Sequence, residues 1–238
     1  MSAPLLPFGR TRLGVVVVDD HPAVRDAVAD AIGAQPDMEL LGVAGSAADA
    51  FALVRATAPD VAVIDISLGD AHGLDLVQNL RAECPELEVV VFSMYDEAVY
   101  AERALRAGAR GYVRKSEPTA VVAEAIRAAA AGEIYLARAA ASRILARVAF
   151  GSSATPATSA GDGAPPEPGL DELTDREMAV FQLLGQGKAA AEIAGRLNLS
   201  RKTVETYRRR AKEKLGLESV TELLQFAIRW TYAQGAAV

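Results

Sequence analysis

The chain has 238 residues, of which 51% are hydrophobic, 5% aromatic and 24% charged. This composition excludes a disordered or collagen-like chain and allows two domains of ordinary size. No apolar stretch approaches the ~18 residues needed to cross a bilayer, and no Cys/His cluster indicates a zinc site. We therefore expect a cytoplasmic protein that does not enter a membrane.

Charge is divided unevenly along the chain. Residues 1–168 contain 14 Lys and Arg but 22 Asp and Glu, whereas residues 169–238 contain 11 and 9. Within 201–214, seven residues are basic and two are acidic. The net charge of −6 therefore conceals an acidic half and a mildly basic half, and a polyanion would bind at 201–214.

Composition also marks the domain boundaries. Residues 151–169, with the sequence GSSATPATSAGDGAPPEPG, contain four Gly and four Pro but no Val, Ile, Leu, Met or aromatic residue. Because such a segment cannot bury enough apolar surface to fold, it predicts a flexible linker. The predicted order is an N-terminal tail, a first domain, a connecting helix, the linker and a second domain, at 1–12, 13–132, 133–150, 151–169 and 170–238.

In the first domain, short runs rich in Val, Ile and Leu alternate with amphipathic stretches. The predicted strands are 13–19, 38–44, 60–66, 87–92 and 110–113. The predicted helices are 22–34, 46–57, 73–83, 96–107, 118–131 and 135–149. Apolar strands that alternate with helices indicate a parallel sheet covered on both faces. The predicted fold class is therefore α/β, with a doubly wound five-stranded parallel sheet.

The second domain is predicted to be purely helical. Thr174 and Glu177 form a capping box at the start of its first helix, and Ser200 is the expected N-cap of its third. The second, third and fourth helices are predicted at 190–197, 201–214 and 219–232. A short helix, a tight turn and a longer basic helix indicate a small all-α helix-turn-helix domain.

Polar residues follow the ends of four predicted strands: Asp19, Asp20, Asp65, Ser93 and Lys115. A single aspartate in this position more often only ends a strand, but five such residues indicate a site, because doubly wound sheets bind ligands at the carboxyl ends of their strands. Three carboxylates repel one another unless a cation is present, and Mg²⁺ favours hard oxygen ligands. The hydroxyl and the ammonium would complete a cradle for a phosphoryl group, with Asp65 as the nucleophile.

The basic helix at 201–214 has one apolar side and one polar side. In a helix-turn-helix, the N-terminal part of the polar side contacts base edges in the major groove. The expected base-reading residues are Glu205, Thr206 and Arg209. The residues expected to contact phosphates are Lys202, Thr203, Tyr207, Arg208, Arg210 and Lys212. A solvated charged helix is the alternative, against which the tight turn and the N-cap argue.

Both domains resemble known families. Residues 13–132 resemble a response-regulator receiver domain of the CheY-like fold through VVVVDDHPAVRDAV, DVAVIDISLGDAHGLDL and VVVFSMYDEAVYAERALRAGARGYVRK. Residues 170–232 resemble a LuxR-type helix-turn-helix through LTDREMAVFQLLGQG, AAEIAGRLNLS and RKTVETYRRRAKEKLGL. Together they resemble the NarL/FixJ-type architecture of two-component response regulators.

The resemblance implies a role for each polar residue of the first domain. Asp65 would accept a phosphoryl group from a sensor histidine kinase. The implied Mg²⁺ ligands are Asp19, Asp20 and Asp65 with the backbone carbonyl of Ser67. The implied switch and phosphate-contacting residues are Ser93, Tyr112 and Lys115. Relatives usually have Pro after the lysine, whereas this chain has Ser116, which leaves the geometry of that loop open.

The expected function is that of a phosphorylation-dependent DNA-binding transcriptional regulator, which is not an enzyme. Activation would produce a homodimer on paired half-sites, with the helix at 219–232 as the contact between the two DNA-bound copies. One alternative is a regulator that binds DNA without phosphorylation, which the change at Ser116 keeps open. Another is an aspartyl-phosphate hydrolase, but nothing in Ile66-Ser67 supplies a general acid or base.

Overall fold

The computed structural model describes residues 11–68, 73–95, 97–150, 170–197 and 199–235. The chain divides into two compact units, Met1–Ser153 and Ala154–Val238. The predicted linker at 151–169 and most of the predicted N-terminal tail lie outside the described residues. Within the described ranges, no helix is both long and apolar enough to cross a membrane.

The first unit is built on a five-stranded parallel sheet. Its strands are β1 (Leu13–Val18), β2 (Met38–Ala44), β3 (Val61–Ile64), β4 (Glu88–Ser93) and β5 (Gly111–Arg114). Its helices are α1 (Pro22–Gly33), α2 (Ala47–Thr57), α3 (Gly73–Glu83), α4 (Glu97–Arg106), α5 (Thr119–Ala130) and α6 (Arg138–Phe150). The strand order β2-β1-β3-β4-β5 confirms the doubly wound sheet, with β1 and β3 adjacent.

Burial of both sheet faces explains the continuous apolar strands. All six residues of β1 are buried, and its side chains alternate between the two faces of the sheet. On one face, Val15 and Val17 join Val28 of α1 and Ile126 of α5 in a single core cluster. The other face is covered by α2, α3 and α4, which contact one another in sequence. The sheet is therefore fixed on both sides, which holds the carboxyl ends of its strands in register.

The chain after α5 returns to the sheet before α6 begins. Tyr135 forms a parallel bridge with Gly111, on the edge of β5 opposite β4. The predicted start of the last helix at 135 is therefore wrong, and α6 begins at Arg138. The reason is that the Tyr135 amide donates to the Arg110 carbonyl oxygen, at 2.9 Å, instead of entering a helix.

The second unit consists of a short 3-10 helix and four α-helices. They are Leu170–Glu172, then α7 (Asp175–Gly185), α8 (Ala190–Arg196), α9 (Arg201–Lys214) and α10 (Val220–Gly235). The capping box at Thr174 and Glu177 is confirmed, as is the N-cap at Ser200, whose hydroxyl accepts from the Thr203 amide. Phe181 of α7 is fully buried, and its ring contacts Trp230 of α10 at 5.7 Å between centroids. These contacts give the second unit its own core.

Candidate functional site

The five polar residues singled out in the first unit lie at the carboxyl edge of its sheet. Asp19 and Asp20 follow β1, Asp65 comes one residue after β3, Ser93 ends β4, and Lys115 follows β5. Parallel strands place these ends on the same edge, so four separate stretches of sequence meet there. The distances among the side chains of Asp19, Asp20, Asp65 and Lys115 confirm that these four converge. Ser93 adjoins them through its carbonyl oxygen, which accepts from the Lys115 amide at 2.7 Å.

Lys115 joins two of the aspartates. Its Nζ lies 2.6 Å from Asp19 Oδ2 and 2.7 Å from Asp65 Oδ2. Asp19 and Asp65 are each only 2% exposed, and the Lys115 side chain is 8% exposed. Because water scarcely reaches these carboxylates, the ammonium is their direct counter-charge.

Electrostatics at Asp65 favour an added cation. Burial raises the pKa of the Asp65 carboxyl above its ordinary value; the Lys115 ammonium opposes this rise, and the nearby Asp19 charge adds to it. A divalent cation would stabilise the ionised form of the Asp65 carboxyl. The pocket therefore holds more carboxylates than the single Lys115 ammonium can neutralise.

The donor set fits a hard divalent cation. Asp19, Asp20, His21 and Asp65 each offer a ligand atom, and these atoms lie within 4.8 Å of one another. Three of the four are carboxylate oxygens, which suit Mg²⁺ better than a softer metal. His21 Nδ1 lies 2.6 Å from Asp20 Oδ1, so the histidine belongs to the pocket as well as to the start of α1.

The loop that follows Asp65 is held by backbone contacts. The Ser67 amide donates to Asp65 Oδ1 at 3.0 Å, which orients the carboxylate. Gly73 begins α3 against this loop, and its amide donates to the Ile66 carbonyl oxygen at 3.1 Å. A Cβ at Gly73 would lie only 2.3 Å from Ile66 Cα. Only glycine therefore allows α3 to approach the loop this closely.

Ser93 is connected to a group of aromatic residues. Its hydroxyl oxygen accepts from the Tyr95 amide at 3.2 Å, and the Tyr95 ring stacks on Tyr100 of α4 at 4.7 Å between centroids. Tyr112 is buried, and its hydroxyl donates to the Tyr95 carbonyl oxygen at 3.1 Å. The predicted switch residues Ser93 and Tyr112 are thus linked through Tyr95.

The loop after Lys115 forms without a proline at Ser116. Every peptide bond in the described ranges is trans, including the bond between these two residues. The Lys115 amide donates to the Ser93 carbonyl oxygen at 2.7 Å, and the Glu117 amide donates to the Arg114 carbonyl oxygen at 2.9 Å. These backbone hydrogen bonds position Lys115 at the pocket.

In the second unit, α9 presents the two sides that its sequence predicts. Val204, Ala211 and Leu215, just after the helix, are buried against the other helices. The side chain of Arg209 is 62% exposed, whereas that of Arg208 is 19% exposed. Arg209 is therefore the more accessible of these two arginines.

Charged side chains of α9 are paired within the helix. Arg208 Nη1 lies 2.7 Å from Glu205 Oε1, and Arg209 Nη1 lies 3.0 Å from Glu213 Oε1. Exposed pairs of this kind are worth little, so a ligand can displace them at small cost. The Thr206 hydroxyl donates to the Lys202 carbonyl oxygen at 3.0 Å, which leaves its methyl group for contact.

The C-terminal end of α9 is anchored to the start of α7. Lys214 Nζ lies 2.7 Å from the buried Glu177 Oε2 and donates to the Glu172 carbonyl oxygen at 3.0 Å. The same Glu177 oxygen accepts from the Thr174 amide at 2.9 Å. This contact holds the C-terminal end of α9 against the start of α7.

Sequence reasoning did not identify three contacts: the close approach of Gly73 to Ile66, the stacking of Tyr95 on Tyr100, and the pairing of Lys214 with Glu177. Each depends on an approach between elements that no local pattern records. The only local signal was the capping box, which singled out Glu177 but not its partner on α9.

An acidic pocket at the carboxyl edge of a parallel sheet, in one chain with a helix-turn-helix unit, defines a signal-receiving DNA-binding regulator. Residues 15–127 match the family model of the response regulator receiver domain, and residues 171–227 match that of the bacterial regulatory proteins of the luxR family. The chain therefore belongs to the NarL/FixJ-type response regulators, which are DNA-binding transcriptional regulators of two-component systems.

Individual relatives match most of the chain. It is 37% identical over 215 residues to the DNA-binding transcriptional activator DevR/DosR of Mycobacterium tuberculosis. That match covers 90% of this chain and 93% of that protein. It is 30% identical over 216 residues to the oxygen regulatory protein NreC of Staphylococcus aureus, covering 90% and 96%. A solved two-component response regulator of the LuxR family from Aurantimonas sp. is 30% identical, with a TM-score of 0.54, and the match covers 58% of this chain and 99% of that one.

Proposed function

We propose that Asp65 accepts a phosphoryl group from the phosphohistidine of a sensor kinase. The observation that carries this proposal is the bridging of Asp19 and Asp65 by one buried ammonium, Lys115, beside a third carboxylate. An Asp65 oxygen would attack phosphorus as the P–N bond breaks, and the histidine nitrogen would leave with the electron pair and take a proton from solvent. Lys115 would then contact a phosphoryl oxygen in place of a carboxylate.

The metal site proposed is Mg²⁺ held by Asp19, Asp20 and Asp65, with the Ser67 carbonyl as a further ligand. When bound, the ion would offset the negative charge that gathers at phosphorus during transfer. Asp20 is the more accessible of the β1 aspartates, which suits it to direct ligation. His21 supports the Asp20 carboxylate through their 2.6 Å contact.

Ser93 and Tyr112 would transmit the phosphorylated state. A phosphoryl group on Asp65 adds acceptor oxygens toward which the Ser93 hydroxyl can donate. Movement of Ser93 would weaken its contact with the Tyr95 amide, and Tyr95 also accepts from the Tyr112 hydroxyl. The surface formed by α4, β5 and α5 would change accordingly.

In the second unit, we propose that α9 enters the major groove of promoter DNA in the cytoplasm. Arg209 would donate to guanine, Glu205 would accept from cytosine N4, and the Thr206 methyl would contact a thymine methyl. The proposed phosphate contacts are Lys202, Thr203, Tyr207, Arg208, Arg210 and Lys212. The 62% exposure of the Arg209 side chain and the engaged hydroxyl of Thr206 support these assignments.

Two copies would bind paired half-sites when the regulator is active. Helix α10 exposes Val220, Leu224 and Tyr232, although it buries Leu223 and Ala227 against its own unit. Exposed apolar side chains on this helix support a contact between DNA-bound copies.

Labelling tests the proposed acceptor directly. Wild-type protein incubated with Mg²⁺ and acetyl phosphate should gain the mass of one phosphoryl group, and the label should be labile to hydroxylamine. Asp65→Asn should gain none, because an amide is not a nucleophile here. Asp49→Asn, at an exposed aspartate of α2 distant from the pocket in sequence, is the matched control and should label normally. Equal labelling of Asp65→Asn and wild type would contradict the assignment.

A further inference from the structure

The segment between α5 and α6 is bound to the edge of the sheet. The Tyr112 amide donates to the Tyr135 carbonyl oxygen, and the Tyr135 amide donates to the Arg110 carbonyl oxygen, both at 2.9 Å. The segment thus pairs with β5 as a further strand would. The edge of β5 is therefore covered by the chain that leads toward the second unit.

A buried glutamate holds the start of α6. Glu97, in the first turn of α4, accepts from the Ala137 amide through Oε1 at 2.6 Å and is only 8% exposed. Helix α6 packs on α4, and its Ala140 is buried. A hydrogen bond to a charged acceptor in a protected position is among the stronger single contacts that a protein makes. Glu97 is therefore well placed to decide whether α6 stays docked.

The same residues connect this contact to the phosphoryl pocket. Glu97 lies four residues after Ser93, with Tyr95 between them. The Tyr95 amide donates to the Ser93 hydroxyl oxygen, and the Tyr95 carbonyl oxygen accepts from the Tyr112 hydroxyl. Tyr112 in turn donates its amide to Tyr135. Two sets of contacts therefore lie between Ser93 and the docked segment, one at the start of α4 and one along β5.

We propose that residues 133–150 form a clasp, closed by Glu97 on α4 and by pairing with β5, which opens when Asp65 is phosphorylated. Glu97 is a positioning residue in this device, since it acts through α6 and not on the phosphoryl group. The proposal rests on the proposed function, because it needs a phosphoryl group on Asp65. Gly132, whose φ is +78° and whose surroundings are open, supplies the turn about which the segment would move.

Opening the clasp would change two properties of the protein. It would free the edge of β5 and the docked side of α4, so that these surfaces become available for contact with a second copy. It would also lengthen the tether to the second unit, which changes the effective concentration of that unit near its partners. Both changes follow from moving one segment.

Hydrogen–deuterium exchange of the full chain tests the proposal. The samples are wild type with and without acetyl phosphate and Mg²⁺, and the unphosphorylated variants Glu97→Ala and Glu102→Ala. Phosphorylated wild type and Glu97→Ala should exchange the amides of peptides covering 133–146 about tenfold faster than resting wild type, as expected for loss of one charge-assisted hydrogen bond. Glu102→Ala, which removes a carboxylate of the same helix paired with Arg106, should not.

The same samples separate failure of the clasp from failure of the proposed function. Intact mass reports the phosphoryl group independently of exchange. Labelled wild type with unchanged exchange at 133–146 would overturn the switch, and so would Glu97→Ala with exchange equal to Glu102→Ala. Absence of label would instead remove the proposed function, while the two variants would still decide the role of Glu97. If Glu97→Ala unfolds throughout, Glu97→Gln, which keeps a neutral acceptor, should give a smaller acceleration confined to 133–146.

Discussion

At the scale of single residues, the pocket depends on charges that cannot be judged one at a time. Asp19 and Asp65 are both buried, and the Lys115 ammonium contacts the two carboxylates at once. Sequence placed all three at strand ends, because an apolar strand followed by a polar residue is a local signal. It could not give the 2.6 Å and 2.7 Å contacts, which depend on how β1, β3 and β5 are spaced.

Gly73 offers a test of how closely α3 must approach the pocket loop. Gly73→Ala would bring a Cβ to 2.3 Å from Ile66 Cα, and backbone atoms cannot rotate away. We expect a loss of about 2 kcal/mol in the free energy of unfolding. Phosphoryl labelling should slow by roughly tenfold or more, because Ile66 adjoins Asp65 and small misplacements are costly in catalysis. Urea unfolding and a labelling time course measure the two effects.

Gly33 provides the matched control for that substitution. It ends α1, and no heavy atom lies within 4 Å of a Cβ built there. Gly33→Ala should therefore change stability by less than about 1 kcal/mol, in the favourable direction, and should label at the wild-type rate. If both alanine variants behave alike, the close approach at Gly73 has no bearing on the site.

At the scale of elements, helix starts were predictable and their tertiary anchors were not. The Thr174 and Glu177 capping box follows from residue types at fixed spacing. The Glu177 carboxylate also accepts from Lys214, and this contact requires the C-terminal end of α9 to meet the start of α7. The error at the start of α6 has the same origin, because pairing of Tyr135 with β5 overrides helix propensity.

The anchor of α9 should give the second unit a dependence on acid. Burial disfavours the Glu177 carboxylate, but hydrogen bonds from Lys214 and Thr174 outweigh it and hold the pKa of Glu177 below its ordinary value of 4.5. A lowered pKa means that this contribution to stability is present above pH 4.5 and is lost as pH falls through the folded-state pKa. Glu177→Gln should cost about 2 kcal/mol at neutral pH and progressively less in acid.

Trp230 allows this effect to be measured in the full chain. It is the only tryptophan, and it is buried in α10 against Phe181, so its fluorescence during urea unfolding reports the second unit. Glu213→Gln is the control, because its pair with Arg209 is exposed and should contribute less than about 0.5 kcal/mol. A cost for Glu177→Gln that is the same in acid and at neutral pH would contradict the anchor.

The two sides of α9 should separate sequence reading from general affinity. Arg209→Ala should cost about 1–3 kcal/mol on a selected binding sequence and alter the preferred bases. Lys202→Ala should weaken binding to selected and random duplexes alike. It should also reduce the slope of log affinity against log salt concentration by about one. Binding-site selection followed by salt titration measures both. Equal effects of the two changes on both kinds of duplex would remove the base-reading assignment.

At the scale of the whole molecule, the sequence was most informative where signals repeat along the chain. Five alternations of strand and helix predicted the sheet, and the composition of 151–169 predicted a linker that lies outside the described residues. The paths between the pocket and the chain's own α6 could not be predicted, because they depend on contacts such as that of Glu97 with Ala137. Local sequence patterns therefore predict the strands, helices and linker, whereas the contacts that connect the pocket to α6 can be seen only in the three-dimensional structure.

The uneven charge of the chain should oppose DNA binding at low salt. Residues 1–168 carry 22 acidic and 14 basic side chains, so their tethered charge should repel the phosphates that α9 approaches. A fragment of residues 170–238, whose helices pack around their own core, should bind a random duplex roughly threefold tighter than the full chain at about 0.05 M salt. The two affinities should converge near 0.3 M, where the screening length is about 6 Å.

Neutralising exposed acids of α1 in the full chain, as in Asp26→Asn with Asp30→Asn, should recover part of the difference. Anisotropy titrations across salt concentrations measure this, and a gap that persists unchanged at high salt would point to steric obstruction instead of charge repulsion.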